Sequence, residues 1–242
     1  MPEFLLANIC AVTPDDTLQN AALWIKDGKI FRLLPDGELP PQAQQLPRTD
    51  GKGAFAVPGF IDLHIHGYAG HGPEQGTPEA LWAMSEELAK HGVAAFCPTL
   101  YCGKPREMET LLKNLAPAFG KEKGARIIGF HLEGPFISPK KPGVMKPEDI
   151  SPADLDAFKR LYEAADGKIA AMTLAPELPG IEAVITFCKE HGILPQAGHT
   201  NATYDEFLLG AARGVTHATH LFNAMSPFNQ RAPGASGAVL MH

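Results

Sequence analysis

Pro58-Gly59-Phe60-Ile61-Asp62-Leu63-His64-Ile65-His66-Gly67 is where the pattern of the chain changes. In an extended strand alternate residues share a face, so a strand over 60–66 turns His64 and His66 to the same side and brings two imidazoles to one point. Upstream, Ala21 to Ile25 and Lys29 to Leu34 read as strands joined across Asp27-Gly28, a strong hairpin signal, and Pro35 to Pro47 is a proline-rich connection. Downstream, the periodicity alternates between short apolar runs and amphipathic stretches. It predicts strands at 60–66, 93–99, 126–133, 168–175, 193–199 and 215–221. Helices are expected at 78–91, 104–116, 152–165, 179–191 and 203–213. Strands alternating with helices give a parallel sheet with crossover helices. The sequence thus divides near residue 56, into a small β segment over 1–55 and an α/β segment over 56–242.

Three further clusters repeat the placement of the first: His131-Leu132-Glu133-Gly134-Pro135, Gly198-His199-Thr200-Asn201 and Thr219-His220-Leu221-Phe222-Asn223. Each closes an apolar run and is followed by Gly, Asn or Pro, the mark of a strand reaching its C-terminal loop. Side chains there face the active site of a barrel. A glutamate oxygen and several histidine nitrogens suit Zn²⁺ or another borderline divalent ion, with a position left open for water. A lone histidine is usually a packing or surface residue, and His71, His91, His191 and His242 are read that way. His131 and His217 are read as neighbours of ligands or as packing residues.

Composition agrees with a globular protein: 242 residues, 45% hydrophobic, 20% charged, and 27 acidic against 21 basic side chains. With no basic run, a nucleic-acid backbone is not an expected partner. The four cysteines Cys10, Cys97, Cys102 and Cys188 have no zinc-ribbon or CxxC spacing. No signal peptide precedes Pro2-Glu3-Phe4, and no apolar run approaches the roughly 20 residues that span a bilayer. A reduced, cytoplasmic protein without a membrane partner is expected.

Taken in order, these clusters, with Leu174-Ala175-Pro176-Glu177 and the extended run Thr216 to Met225, resemble the N-acetylglucosamine-6-phosphate deacetylases of the amidohydrolase superfamily. The resemblance covers nearly the whole chain. It implies a metal-dependent (β/α)8 TIM-type barrel with about six of the eight strands present, behind a small N-terminal β-sandwich segment. An HxH pair by itself is shared across amidohydrolases. Glu133 within HLEGP is more specific, because many binuclear relatives bridge their metals with a carboxylated lysine instead.

By resemblance, Glu133, His199 and His220 form the principal metal site, and His64 with His66 complete a second site that shares Glu133. One or two ions are implied, zinc first, Fe²⁺ or another divalent ion next. Asn223, Ala224 and Arg231 fall at substrate positions, with Arg231 on the phosphate. The implied reaction is hydrolysis of the N-acetyl group of N-acetylglucosamine 6-phosphate by metal-activated water, giving acetate and glucosamine 6-phosphate, in a homodimer. Two departures follow. Relatives commonly carry a sugar-contacting histidine where this chain has Met145, which cannot donate the same hydrogen bond. The family's acid–base aspartate after strand eight falls beyond His242, and Leu221 to His242 holds no Asp or Glu. No catalytic residue is therefore assigned within the chain, and the isolated 242 residues are expected to be inactive. A metal-binding or assembly protein without hydrolytic activity is the alternative from another class. An amidohydrolase acting on a cyclic amide or nucleobase is a third reading.

Overall fold

A computed structural model of the protein describes residues 3–242. Two compact units divide it, Met1–Gly59 and Phe60–His242.

In the first unit β1 (Phe4–Val12), β2 (Thr17–Lys26), β3 (Lys29–Pro35), β4 (Arg48–Asp50) and β5 (Phe55–Ala56) make one five-stranded sheet, with the short helix α1 (Pro41–Gln44) in the proline-rich connection. The β2–β3 hairpin turns on Asp27 and Gly28, both at positive φ, as a tight primed turn requires. The expected sandwich needs correcting. The sheet is mixed, since β4 and β5 run parallel to β1, and the described residues form one sheet where a sandwich needs two. The Pro-rich segment is too short to supply a second layer and instead buries Leu39 and Ala43 against Leu5, Ala7 and Trp24.

The second unit runs β6 (Phe60–Ile65), α2 (Pro78–Lys90), β7 (Val93–Leu100), α3 (Pro105–Leu115), β8 (Arg126–Ile127), β9 (Phe130–Glu133), α4 (Leu155–Ala164), β10 (Ile169–Leu174), α5 (Ile181–Glu190), β11 (Leu194–Ala197), α6 (Tyr204–Arg213), β12 (His217–Ala218) and α7 (Gly234–Met241). Its sheet is parallel, in the order β12-β11-β10-β9-β7-β6, with β8 beside β7. Successive strands lie side by side because each returns through one helix. The expected third strand is split into β8 and β9 at Gly129. A Cβ there would stand 2.6 Å from the Ala170 Cβ, so the backbone of β10 occupies the space a side chain would need.

The helices bury one face each, at the spacing the sequence shows: Leu81, Met84 and Leu88 on α2; Ala157, Phe158, Leu161 and Ala164 on α4; Ile181, Val184, Ile185 and Cys188 on α5. They close over Phe96, Phe130, Leu132, Met172 and Leu174 from the strands. Asp154 and Thr203 cap α4 and α6, accepting from Ala157 N and Glu206 N. The layers hold the C-terminal ends of β6, β9, β11 and β12 at a common level. The edge strand β6 is apolar and open, with Phe60 and Ile61 both exposed.

Candidate metal centre

His64 lies within β6 and His66 just beyond it; Glu133 ends β9; His199 and His220 each stand two residues past the ends of β11 and β12. The structure brings all five together, as two groups that share Glu133: His64, His66 and Glu133, and Glu133, His199 and His220. Glu133 is 3% exposed. Its two oxygens face different partners. Oε1 is 3.1 Å from His199 Nε2, 2.9 Å from His220 Nε2 and 3.7 Å from His64 Nε2, and Oε2 is 2.9 Å from His66 Nε2.

The second nitrogen of each ring sets what the first can do. His66 Nδ1 faces the Thr99 carbonyl (3.1 Å), His199 Nδ1 the Lys141 carbonyl (3.0 Å) and His220 Nδ1 the Asn223 carbonyl (3.1 Å). A carbonyl only accepts, so each Nδ1 carries a proton, and a ring with no second proton turns its Nε2 lone pair inward. Three lone pairs then converge on a carboxylate, and His199 and His220 bring their Nε2 atoms within 3.1 Å of each other. Such an array is repulsive until a cation enters it. An ion with bonds of about 2.0–2.1 Å holds its ligand atoms roughly 3 Å apart, which is the spacing found here. The donor set therefore fits divalent ions.

The electrostatics point the same way. Burial alone would raise the Glu133 carboxyl, but without an ion, protons on Nε2 of His199, His220 and His66 take a cation's place, donate to the carboxylate and hold it far below the usual carboxylate range. The bond to Glu133 raises His220 in turn. A field that draws a proton between these two groups also draws a metal ion. His64 is lowered, first by burial, and its Nδ1 meets no carbonyl; it lies 3.4 Å from His131 Nδ1. The His64 side is thus the less preset of the two groups.

His131 is wholly buried and ligates nothing. It donates from Nδ1 to the Leu63 carbonyl (2.8 Å), and its Nε2 lies 2.7 Å from the Thr173 hydroxyl. That hydroxyl is 2.7 Å from Thr219 Oγ1, which donates to Gln196 Oε1 (3.0 Å). The chain of side chains ties β9, β10, β12 and β11 together just behind the ligands. Burial pushes His131 down to about 4. His217 sits apart, bonded to Thr216.

The expected substrate residues are less tightly gathered. Asn223 adjoins the centre through its carbonyl, and Ala224 accepts from Thr200 N (3.0 Å). Arg231 is exposed and lines a separate cavity of about 660 Å³ with Asn201, Thr203 and Ser226. Met145 is buried against Cys102, Ile137 and Ile150, so its side chain is committed to packing. Sequence reasoning missed Thr99, which binds both His66 and Ile65 N, and Tyr101, which stacks on His66. Their one signal was position at the end of a strand neighbouring the HxH strand. Glu177 was also unassigned; it accepts from Thr200 Oγ1 (2.6 Å) and Asn201 N (2.7 Å), pinning the loop that follows His199.

Residues 55–240 match the amidohydrolase family. The chain belongs to that family. It is 35% identical over 98% of its length to N-acetylglucosamine-6-phosphate deacetylase of Bacillus subtilis, of which it covers 61%. Its fold superimposes on the crystal structure of N-acetylglucosamine-6-phosphate deacetylase from Pasteurella multocida with a TM-score of 0.89, at 33% identity, over 99% of this chain and 62% of that one. A mutant deacetylase from Mycobacterium smegmatis, solved in complex with N-acetyl-D-glucosamine-6-phosphate, gives 0.85 at 29% identity, over 100% and 61%. This amidohydrolase chain therefore spans about three fifths of the relatives it matches. Among the described residues no helix is long and apolar enough to cross a membrane.

Proposed function

We propose that this amidohydrolase chain carries the metal centre of a deacetylase acting on N-acetylglucosamine 6-phosphate, releasing acetate and glucosamine 6-phosphate. The observation that carries the reading is the Glu133 carboxylate, whose two oxygens face different histidines at 2.9–3.1 Å. Such a carboxylate could serve both groups: Glu133, His199 and His220 would hold one ion, and Glu133, His64 and His66 would hold a second. Zinc suits nitrogen and carboxylate donors best, with Fe²⁺ as the nearest alternative. Bound there, a divalent ion supplies a Lewis acid for an amide carbonyl and makes water a nucleophile near neutral pH.

The remaining work belongs to the chain. Thr99, Lys141 and Asn223 hold the Nδ1 protons through their carbonyls, so that the histidines bind as Nε2 donors. Asn223 and the backbone at Ala224 position the sugar, and Arg231 pairs with its phosphate through a fork of N–H donors. A homodimer in the cytoplasm, with a small amino sugar phosphate as its ligand and neither nucleic acid nor membrane, completes the reading. Similarity to deacetylases at 31–35% identity weighs against a cyclic amide or nucleobase as substrate. Among the described residues no carboxylate besides Glu133 belongs to either ligand group, and acetate release is the measurement that bears on the expected inactivity.

Ligand binding and acetate release test this together. Zinc-loaded protein should be stabilised by N-acetylglucosamine 6-phosphate and not by N-acetylglucosamine, and Arg231→Met should abolish the difference. Acetate release should stay at background. Equal stabilisation by both sugars would sink the phosphate reading, and acetate release abolished by Glu133→Gln would overturn the expectation of inactivity.

A further inference from the structure

Tyr101 directly follows β7, two residues after Thr99. Its ring lies face-on over the His66 imidazole, with centroids 3.6 Å apart and planes within 4°. The ring contacts among the histidines of the centre are all edge-on: 89° for His64 and His66, 72° for His64 and His131, and 78° for His199 and His220. The difference has a physical meaning. Two neutral aromatic rings set centroid over centroid oppose their electron-rich faces, which is why such pairs prefer offset or edge-on arrangements. The sandwich becomes attractive when one ring is electron-poor, as a cation-bearing ring is over the face of a tyrosine. His66 is placed to be that ring, with Nδ1–H held by the Thr99 carbonyl and Nε2 2.9 Å from Glu133 Oε2.

We propose that Tyr101 is a positioning residue for the ion shared by His64, His66 and Glu133. Its π face stabilises the cation-bearing form of His66 and fixes the plane in which Nε2 meets Glu133. This rests on the two-ion reading above and adds a residue that no ligand motif contains. Tyr101 is 47% exposed, so the contribution comes from the ring face more than from buried area. It also answers a need of the site. His64 is the less preset ligand on that side, and His66 must hold its geometry with less help than His199 and His220 give each other.

The π face and simple bulk can be separated by comparing wild type with Tyr101→Phe, Tyr101→Leu and pentafluorophenylalanine placed at Tyr101. Phe keeps the face without the phenol, Leu keeps apolar bulk, and the fluorinated ring reverses the charge of the face. Zinc is titrated in competition with a chromophoric chelator, and the His66 ring is followed by its imidazole NMR signals. Wild type and Tyr101→Phe should take up two equivalents, with the His66 ring proton shifted by the stacked ring current. In the Leu and fluorinated proteins the first equivalent should bind unchanged and the second about five- to tenfold more weakly. Four equal second affinities would overturn the proposal, as would weakening of both equivalents in Tyr101→Leu, which marks a packing role. Wild type that binds one equivalent and leaves the His66 signals unmoved overturns the two-ion reading, and this inference with it. That outcome is distinguished by the wild-type isotherm alone.

Discussion

His199 and His220 hold φ of 46° and 35°, in the left-handed region that non-glycine residues seldom occupy. The conformation costs on the order of 1 kcal/mol or more at each, and it turns both rings back over the strand ends onto Glu133. Gly143, at φ +58°, packs on the first of them: a Cβ there would stand 2.8 Å from His199 Cε1. Gly143→Ala should therefore loosen zinc at the Glu133–His199–His220 group by about tenfold or more, the loss typical of disturbed ligand support, while leaving the His66 signals in place. Competition with a chelator measures it, and unchanged affinity would remove Gly143 from the centre.

His131 gives a pH signature at the same scale. Its pKa falls to about 4 in the fold, against about 6.5 when unfolded. Between these values the unfolded chain binds the extra proton, so the stability His131 contributes is complete above pH 6.5 and is lost as pH falls to 4, by roughly 3 kcal/mol in all. His220, raised by Glu133, works in the opposite sense, its share being present below 6.5 and lost above the raised value. Urea unfolding of the metal-free protein should thus weaken from pH 6.5 to 4, and the slope should flatten in His131→Asn. A variant as steep as wild type would refute the assignment. The ligands themselves were legible, because strand ends and spacing select His64, His66, Glu133, His199 and His220. Their supports were not: Thr99, Lys141 and Asn223 act through backbone carbonyls, which every residue has.

Among the elements, the helices were the most legible, since a buried face at i, i+3, i+4 and i+7 is written into the composition of α2, α4 and α5. Phe158 shows what that face contributes. It is fully buried on α4, edge-on to Phe136 and Phe187, so Phe158→Ala should cost about 3–5 kcal/mol, read as a lower urea midpoint with an unchanged slope. A cost under 1 kcal/mol would mean the interior closes around the gap. β1 escaped the sequence reading because Asn8, at φ 52°, and two register shifts break its alternation. α7 escaped because its buried residues are small, Gly234, Ala235, Ser236, Gly237 and Ala238, and carry no amphipathic pattern. The split of the third strand depends on Ala170, forty-one positions from Gly129 in chain order and so invisible to any local window.

At the scale of the whole α/β unit, the centre joins strand ends that are far apart in the chain. Glu133 is 66 positions from His199 and 87 from His220. An ion between them is a crosslink across the sheet, and its binding energy is folding energy. Zinc at a hundredfold excess over its dissociation constant should add about 2.7 kcal/mol of stability, reversed by chelator in a thermal melt. Indifference of the melt to zinc would mean that the ion binds folded and unfolded chains alike.

The sharing of Glu133 also carries a direction in time. A chain made from its N-terminus has His64, His66 and Glu133 in hand once residue 133 has emerged, whereas the other group waits for His199 and His220. Synthesis therefore completes the less preset group first, and Glu133 would be in place before β11 and β12 bring the other two histidines.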